Sequence, residues 1–79
     1  MPVLRMFALA RERAGTGEAE IDGATVGEVL DNASERFGLG FAELLPNCAI
    51  WVDGTPSGPS TTVGPTSEVA VLPPVSGGS

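Results

Sequence analysis

The residues with the clearest chemical potential are the last seven, Pro73-Pro74-Val75-Ser76-Gly77-Gly78-Ser79. Glycine has no Cβ, so a Gly77-Gly78 thread can enter a channel too narrow for any other residue. Proline fixes φ and removes a backbone donor, so Pro73 and Pro74 stop strand pairing and lift the chain away from a sheet. Val75 and Ser76 space the prolines from the diglycine. Such a tail suits delivery of a glycine carboxyl group into another protein's active site. A Gly/Ser-rich end is also an ordinary feature of chains. The strand-like run Glu68-Val69-Ala70-Val71-Leu72 and the two prolines directly before it favour the functional reading. Ser79 has three readings: a residue that a protease removes, a residue foreign to the natural chain, or the mark of a relative that only binds. Its Cβ makes it a poor substitute for Gly78 in a glycine-shaped channel.

The remainder of the chain argues against other chemistry. It has no histidine and a single cysteine, Cys48, so neither a His-based triad nor an internal disulfide is available. Cys48 lies in an apolar run and reads as a buried small hydrophobe. No Cys pair or carboxylate set has metal-ligand spacing, and no metal or bound cofactor is expected. The stretch Gly15-Thr16-Gly17 is not followed by Lys-Ser/Thr and is too weak to be a phosphate loop. The 79 residues carry a formal charge of -6. That charge opposes nucleic-acid binding and suits either solubility or docking on a basic partner surface. Lysine is absent; the cations are Arg5, Arg11, Arg13 and Arg36. No apolar run approaches the roughly 20 residues needed to span a bilayer. The N-terminus lacks a signal-peptide pattern, so the cytoplasm is the expected compartment.

The elements that must position the tail follow from periodicity. Residues 3–9 read as a first strand, with Leu4, Met6 and Ala8 inward and Val3, Arg5, Phe7 and Leu9 outward. Residues 14–17 read as a turn and 18–22 as a short charged strand. Thr25 and Glu28 have capping-box spacing. Val26, Val29, Leu30, Ala33 and Phe37 then make one apolar helical stripe, ended by Gly38. Residues 41–45 read as a brief apolar turn. Residues 48–53 form a strand with Cys48, Ile50 and Val52 on one face and Ala49, Trp51 and Asp53 on the other. Residues 55–67 are loop-like, with room for a tiny strand near Thr62-Val63. Residues 68–72 form the last strand. One small domain results: an α+β body over 1–74, its helix covering one face of a sheet, and a tail over 75–79. Phe7, Leu9 and Trp51 on the outer sheet face are either scattered exposed apolar residues or a docking patch continued by Leu72.

Three segments resemble a known family. Phe7-Ala8-Leu9-Ala10-Arg11-Glu12 with Gly15-Thr16, Val52-Asp53-Gly54, and Glu68 through Gly78 with its Pro-Pro-Val-x-Gly-Gly ending are similar to ubiquitin-like sulfur carriers. The resemblance is to the small-subunit type of molybdopterin synthase and, more distantly, to the thiamine-pathway carrier. Members generally end on the second glycine, so Ser79 departs from the pattern. The resemblance implies a β-grasp fold with parallel central first and last strands, in a mixed sheet of four to five strands on one main helix. It implies that an adenylating, E1-like enzyme uses ATP to activate Gly78 after removal of Ser79. A sulfur donor then makes a thiocarboxylate there. The sulfur passes to a pterin precursor in the large synthase subunit or to another sulfur-accepting enzyme. Arg11, by its place in the motif, becomes a partner contact as well as a candidate for a surface salt bridge. On this reading the chain is a non-catalytic co-substrate. The alternatives are a carrier for cysteine, thiamine or a sulfur-containing secondary metabolite, or a ubiquitin-like modifier or interaction module, joined to lysines of other proteins through Gly78.

Overall fold

The computed structural model describes residues 1–74 of the chain. The elements run β1 (Val3–Met6), α1 (Ala8–Ala14), β2 (Glu18–Glu20), α2 (Val26–Phe37), α3 (Leu39–Leu44), a 3₁₀ turn (Leu45–Asn47), β3 (Ala49–Val52), β4 (Thr55–Pro56) and β5 (Glu68–Leu72). The sheet order is β2-β1-β5-β3-β4. β1 and β5 are parallel, with Leu4 opposite Val69 and Met6 opposite Val71, while the other pairs are antiparallel. This is the expected β-grasp arrangement, and it puts β5 at the centre of the sheet.

One face of the sheet is closed by helices. Leu4, Met6, Val69 and Val71 project from β1 and β5 onto Val26, Val29 and Ala33 of α2 and Phe41 of α3, and all are buried. Burying such side chains contributes on the order of 1.5–3 kcal/mol each. Phe37 meets Phe41 edge to face at 5.3 Å between ring centroids. The start of α2 is built as its sequence requires. The Glu28 N–H donates to Thr25 Oγ1 at 3.2 Å, and Glu28 Oε1 accepts from the Ala24 N–H at 3.0 Å. The reciprocal bond thus reaches the residue before the N-cap, one position from the usual capping box.

Three expectations are corrected. The first strand ends at Met6, and residues 8–14 are helical where the strand was expected to continue. Ala8, Leu9, Ala10, Arg11, Glu12, Arg13 and Ala14 are all good helix formers, so local propensity and burial of Ala10 overrode a two-residue alternation only seven residues long. The corner is sharp: Ala8 has φ 50, a left-handed conformation costing about 1 kcal/mol or more for a residue with a Cβ. Ala8 therefore does not line the core. Second, the apolar segment expected as a turn forms α3, whose Phe41 is fully buried. Third, the short extra strand lies at Thr55–Pro56, because Asp53-Gly54, at φ 49 and 84, makes a two-residue turn of the type that closes a tight hairpin. Thr62 makes only an isolated bridge to Thr25.

Candidate functional site

The site is the uncovered face of the sheet where β5 gives way to Pro73. Along β5, Val69 and Val71 point into the core, so Glu68, Ala70 and Leu72 point outward. Residues opposite one another in a sheet share a face, and the register therefore fixes their neighbours. Leu72 lies opposite Ala49, and Ala70 lies between Arg5 on β1 and Trp51 on β3. Phe7 continues the line of β1 in an extended conformation, φ -124 and ψ 154, and its N–H donates to the Val71 carbonyl at 3.3 Å. Alternation from Arg5 gives Phe7 the outer face, beside Leu72. Phe7, Leu72, Ala49, Ala70 and Trp51 thus form one apolar strip across three strands. Phe7 is 42% exposed and Trp51 38%. Nothing within the described residues covers them.

The expected partner-binding residues divide. Phe7, Trp51 and Leu72 are brought together by the register. Leu9 is not placed with them by the sheet: it belongs to α1, so its exposure of 39% arises on a helix, and its expected position on the outer sheet face is corrected. Arg11 lies one turn into α1, and its side chain folds over Gly17, where an added Cβ would sit 3.3 Å from its Nε. With Arg5, Phe7 and Glu18 it lines a hollow of about 350 Å³ beside the strip. Among the described residues Arg11 makes no ion pair. Both ion pairs there belong to Arg5, with Glu18 and Glu68, each at 3.4 Å. The salt bridge considered for Arg11 is therefore not formed, and its guanidinium is available beside Phe7.

Ala49 and Ala70 were missed by sequence reading. Their small side chains lower the floor between Leu72 and Trp51, and the only signal for them was their place in the alternation of β3 and β5. Pro73 is half-buried and Pro74 exposed, in line with strand pairing that ends at Leu72. The tail therefore starts from the central strand, flanked by the end of β1 and the beginning of β3. Val75, Ser76, Gly77, Gly78 and Ser79, with the expected threading and thiocarboxylate-bearing roles, lie outside the described residues, as does the proposed domain boundary after residue 74.

Asp53 has a structural role. Its Oδ1 accepts from the Glu68 N–H at 2.9 Å, tying the tight turn to the start of β5. Cys48 is half-buried, its Sγ–H donating to the Leu44 carbonyl at 3.3 Å, and burial pushes the thiol pKa up. A thiol held in its neutral form is a poor nucleophile. Among the described residues no group of three or more His, Cys, Asp or Glu side chains could hold a metal ion. No helix among them is long and apolar enough to cross a membrane. A groove of about 700 Å³ lies on the helix side between α2, α3 and β3, lined by Leu30, Leu45 and Ile50 among others. It belongs to the layer that supports the site.

Comparison with known proteins agrees with this architecture. The sequence pattern described as the ThiS family matches residues 4–78. None of the curated proteins matches the chain. Among solved structures, the small archaeal modifier protein 1 of Methanosarcina acetivorans superposes with a TM-score of 0.87 at 24% identity, covering 96% of this chain and 94% of that one. The Amycolatopsis orientalis BexX/CysO complex contains a chain similar at a TM-score of 0.84 and 22% identity, covering 98% of this chain and 99% of that one. The complex of subunits 1 and 2 of molybdopterin-converting factor from Helicobacter pylori contains another, at 0.72 and 22% identity, covering 96% of each chain. These likenesses establish the shared fold.

Proposed function

The chain belongs to the ThiS family, with the ubiquitin-like β-grasp fold of sulfur carriers, and from that premise we propose that it carries sulfur as a thiocarboxylate on Gly78. The supporting observation is the way the tail leaves the body. A central strand ends at two prolines between the exposed Phe7 and Trp51, so a protein that covers the apolar strip also receives the diglycine. The chemistry needs only the carboxylate from this chain. A Gly78 oxygen attacks the α-phosphorus of ATP in an adenylating partner, and pyrophosphate leaves. A hydrosulfide equivalent from a sulfur donor then attacks the acyl carbon, and AMP leaves with the carbon–oxygen bond electrons. The resulting thiocarboxylate sulfur is a nucleophile for the acceptor. Wherever Ser79 is present, hydrolysis of the Gly78–Ser79 bond comes first. General acids and bases belong to the partners. Phe7, Trp51, Leu72 and Arg11 dock them, and Leu9 contributes at most from α1. The favoured acceptor is a pterin precursor of the molybdenum cofactor, on the strength of the Pro-Pro-Val-x-Gly-Gly ending, and the compartment is the cytoplasm.

Intact-mass measurement tests this. A version ending at Gly78, incubated with ATP, the adenylating enzyme of the same genome and sulfide, should gain one sulfur-for-oxygen exchange. Adducts on lysines of other proteins, with no such exchange, would instead support a modifier. An unchanged mass with no adducts overturns both.

A further inference from the structure

The turn Gly15-Thr16-Gly17 does more than join α1 to β2. Gly17 is half-buried, and its carbonyl accepts from the Met6 N–H at 2.9 Å, which fixes it against β1. The Arg11 side chain lies across it. A Cβ added at Gly17 would sit 3.3 Å from Arg11 Nε and 3.5 Å from both Cδ and Cζ. Gly17 has no positive φ, so the backbone itself does not demand glycine there. What a side chain would disturb is the seat of the Arg11 guanidinium. Among the described residues Arg11 is also the one arginine of four whose side chain has no hydrogen-bonding partner. Arg5 pairs with Glu18 and Glu68, Arg13 donates to the Gly40 carbonyl, and Arg36 donates to the Glu20 carbonyl. Three and four residues from Arg11 stand Phe7, Ala8, Ala14 and Gly15, and Glu12, its immediate neighbour, does not share its face of α1. The helix therefore offers Arg11 no ion pair. Two guanidiniums, Arg5 and Arg11, and two carboxylates, Glu18 and Glu68, stand in or beside the hollow, and both carboxylates are engaged by Arg5.

We infer that Gly17 seats Arg11 so that its guanidinium receives one carboxylate of the protein partner, beside the apolar strip at Phe7. Arg11 is the contact and Gly17 the positioning residue. The inference rests on the docking face described under Proposed function and adds the partner's chemistry at one point: an Asp or Glu side chain at the edge of an apolar patch. The planar fork of arginine matches the two oxygens of a carboxylate. A side chain that already lies against fixed backbone loses less rotamer freedom on docking than a free one. The hollow of about 350 Å³ leaves room for the incoming acid. Its surroundings select among anions. Phe7, exposed on the rim, suits an apolar protein surface around the carboxylate. A polyanion such as nucleic acid would meet Glu18, Glu68 and a chain of net charge -6, all of which repel it.

The test is calorimetric titration of the chain ending at Gly78 into the adenylating enzyme of the same genome, without ATP. Arg11→Ala should weaken binding about tenfold, and Arg11→Glu about a hundredfold, because a carboxylate then meets a like charge. Gly17→Ala should weaken binding about threefold with Arg11 present and change it less than about twofold in the Arg11→Ala background. Melting temperatures check that each variant is folded. Trp51→Ala, measured alongside, should weaken binding about thirtyfold. Arg11→Glu binding no more weakly than Arg11→Ala overturns the carboxylate. A Gly17→Ala loss that persists without Arg11 overturns the seat. Wild-type affinity in the Arg11 and Gly17 variants, with weakened binding by Trp51→Ala, overturns the inference and leaves the docking face standing. Wild-type affinity in every variant, or no binding by the wild-type chain, overturns the docking face as well. Sulfur loading of Gly78 is read separately by the mass measurement above. If Gly17→Ala does not fold, relaxation of the Arg11 Nε–H in the free wild-type chain decides: an ordered guanidinium supports the seat, and a freely moving one overturns it.

Discussion

The two faces of the sheet use the same strands for opposite ends. On β5, Val69 and Val71 are fully buried, while Glu68, Ala70 and Leu72 between and around them reach solvent or half-buried positions. The inner face is aliphatic and closed by two helices. The outer face mixes aromatic, small and charged residues, and among the described residues no helix lies on it. A sheet covered on one side only needs polar residues on the other, and Arg5, Glu18, Glu20, Asp53 and Glu68 meet that need over part of the outer face. The apolar strip does not, and it adjoins the strand end from which the tail starts. The packing that stabilises the fold lies on one face and the proposed recognition surface on the other, with a single residue step between them.

Substitutions can break this division or sharpen it. Phe41→Ala removes the largest side chain of the inner layer and should cost about 4 kcal/mol. A domain of this size is stable by roughly 4–12 kcal/mol, so denaturant titration should show a large loss or complete unfolding. Trp51→Ala on the outer face should cost about 2 kcal/mol of partner binding, read by calorimetry, and leave the melting temperature within a few degrees of wild type. Equal losses of stability in the two variants would erase the contrast. Thr25→Ala removes the N-cap of α2 beneath the inner face and should destabilise by about 1 kcal/mol in the same titration. Arg5→Ala breaks two exposed ion pairs and should change stability by less than about 1 kcal/mol, diminishing further in high salt. The smallest effect concerns Cys48. Its thiol pKa is raised by burial in the folded state, so folding favours the neutral form, and that contribution is present below the ordinary thiol value and is lost as pH rises from there through the raised value. Alkylation at neutral pH should be slower in the folded chain than in denaturant.

Much of this was legible in the residues. The helix Val26–Phe37 could be read because its cap and stripe are local, i to i+3 and i+4, features. The last strand could be read because Glu68–Leu72 alternates and ends at Pro73. Alternation also placed Trp51 on the exposed face of β3 and Ile50 on the other. The region after Met6 could not be read this way. Phe7, Ala8 and Leu9 continue a plausible alternation that competes with the helix propensity of residues 8–14, and packing of Ala10 into the core and the bond from Arg13 Nη1 to the Gly40 carbonyl, at 2.6 Å, decide for the helix. The hairpin at Asp53-Gly54 was hidden for a different reason. Its turn residues were noted, but the following Thr55–Pro56 pairing is too short to leave a periodic signal.

Residue types and spacing by themselves determined the α+β class, the capped helix, the core stripe, and the tail with Pro73 and Pro74 at its base. These rest on interactions between near neighbours, which a linear pattern records. The tertiary structure alone decided that Phe7, Leu72 and Trp51 share one strip, that Leu9 is not in the sheet with them, and that Arg5 rather than Arg11 is held in ion pairs. Those outcomes depend on lateral pairing between strands far apart in the chain, and on where one short segment exchanged strand for helix to bury an alanine.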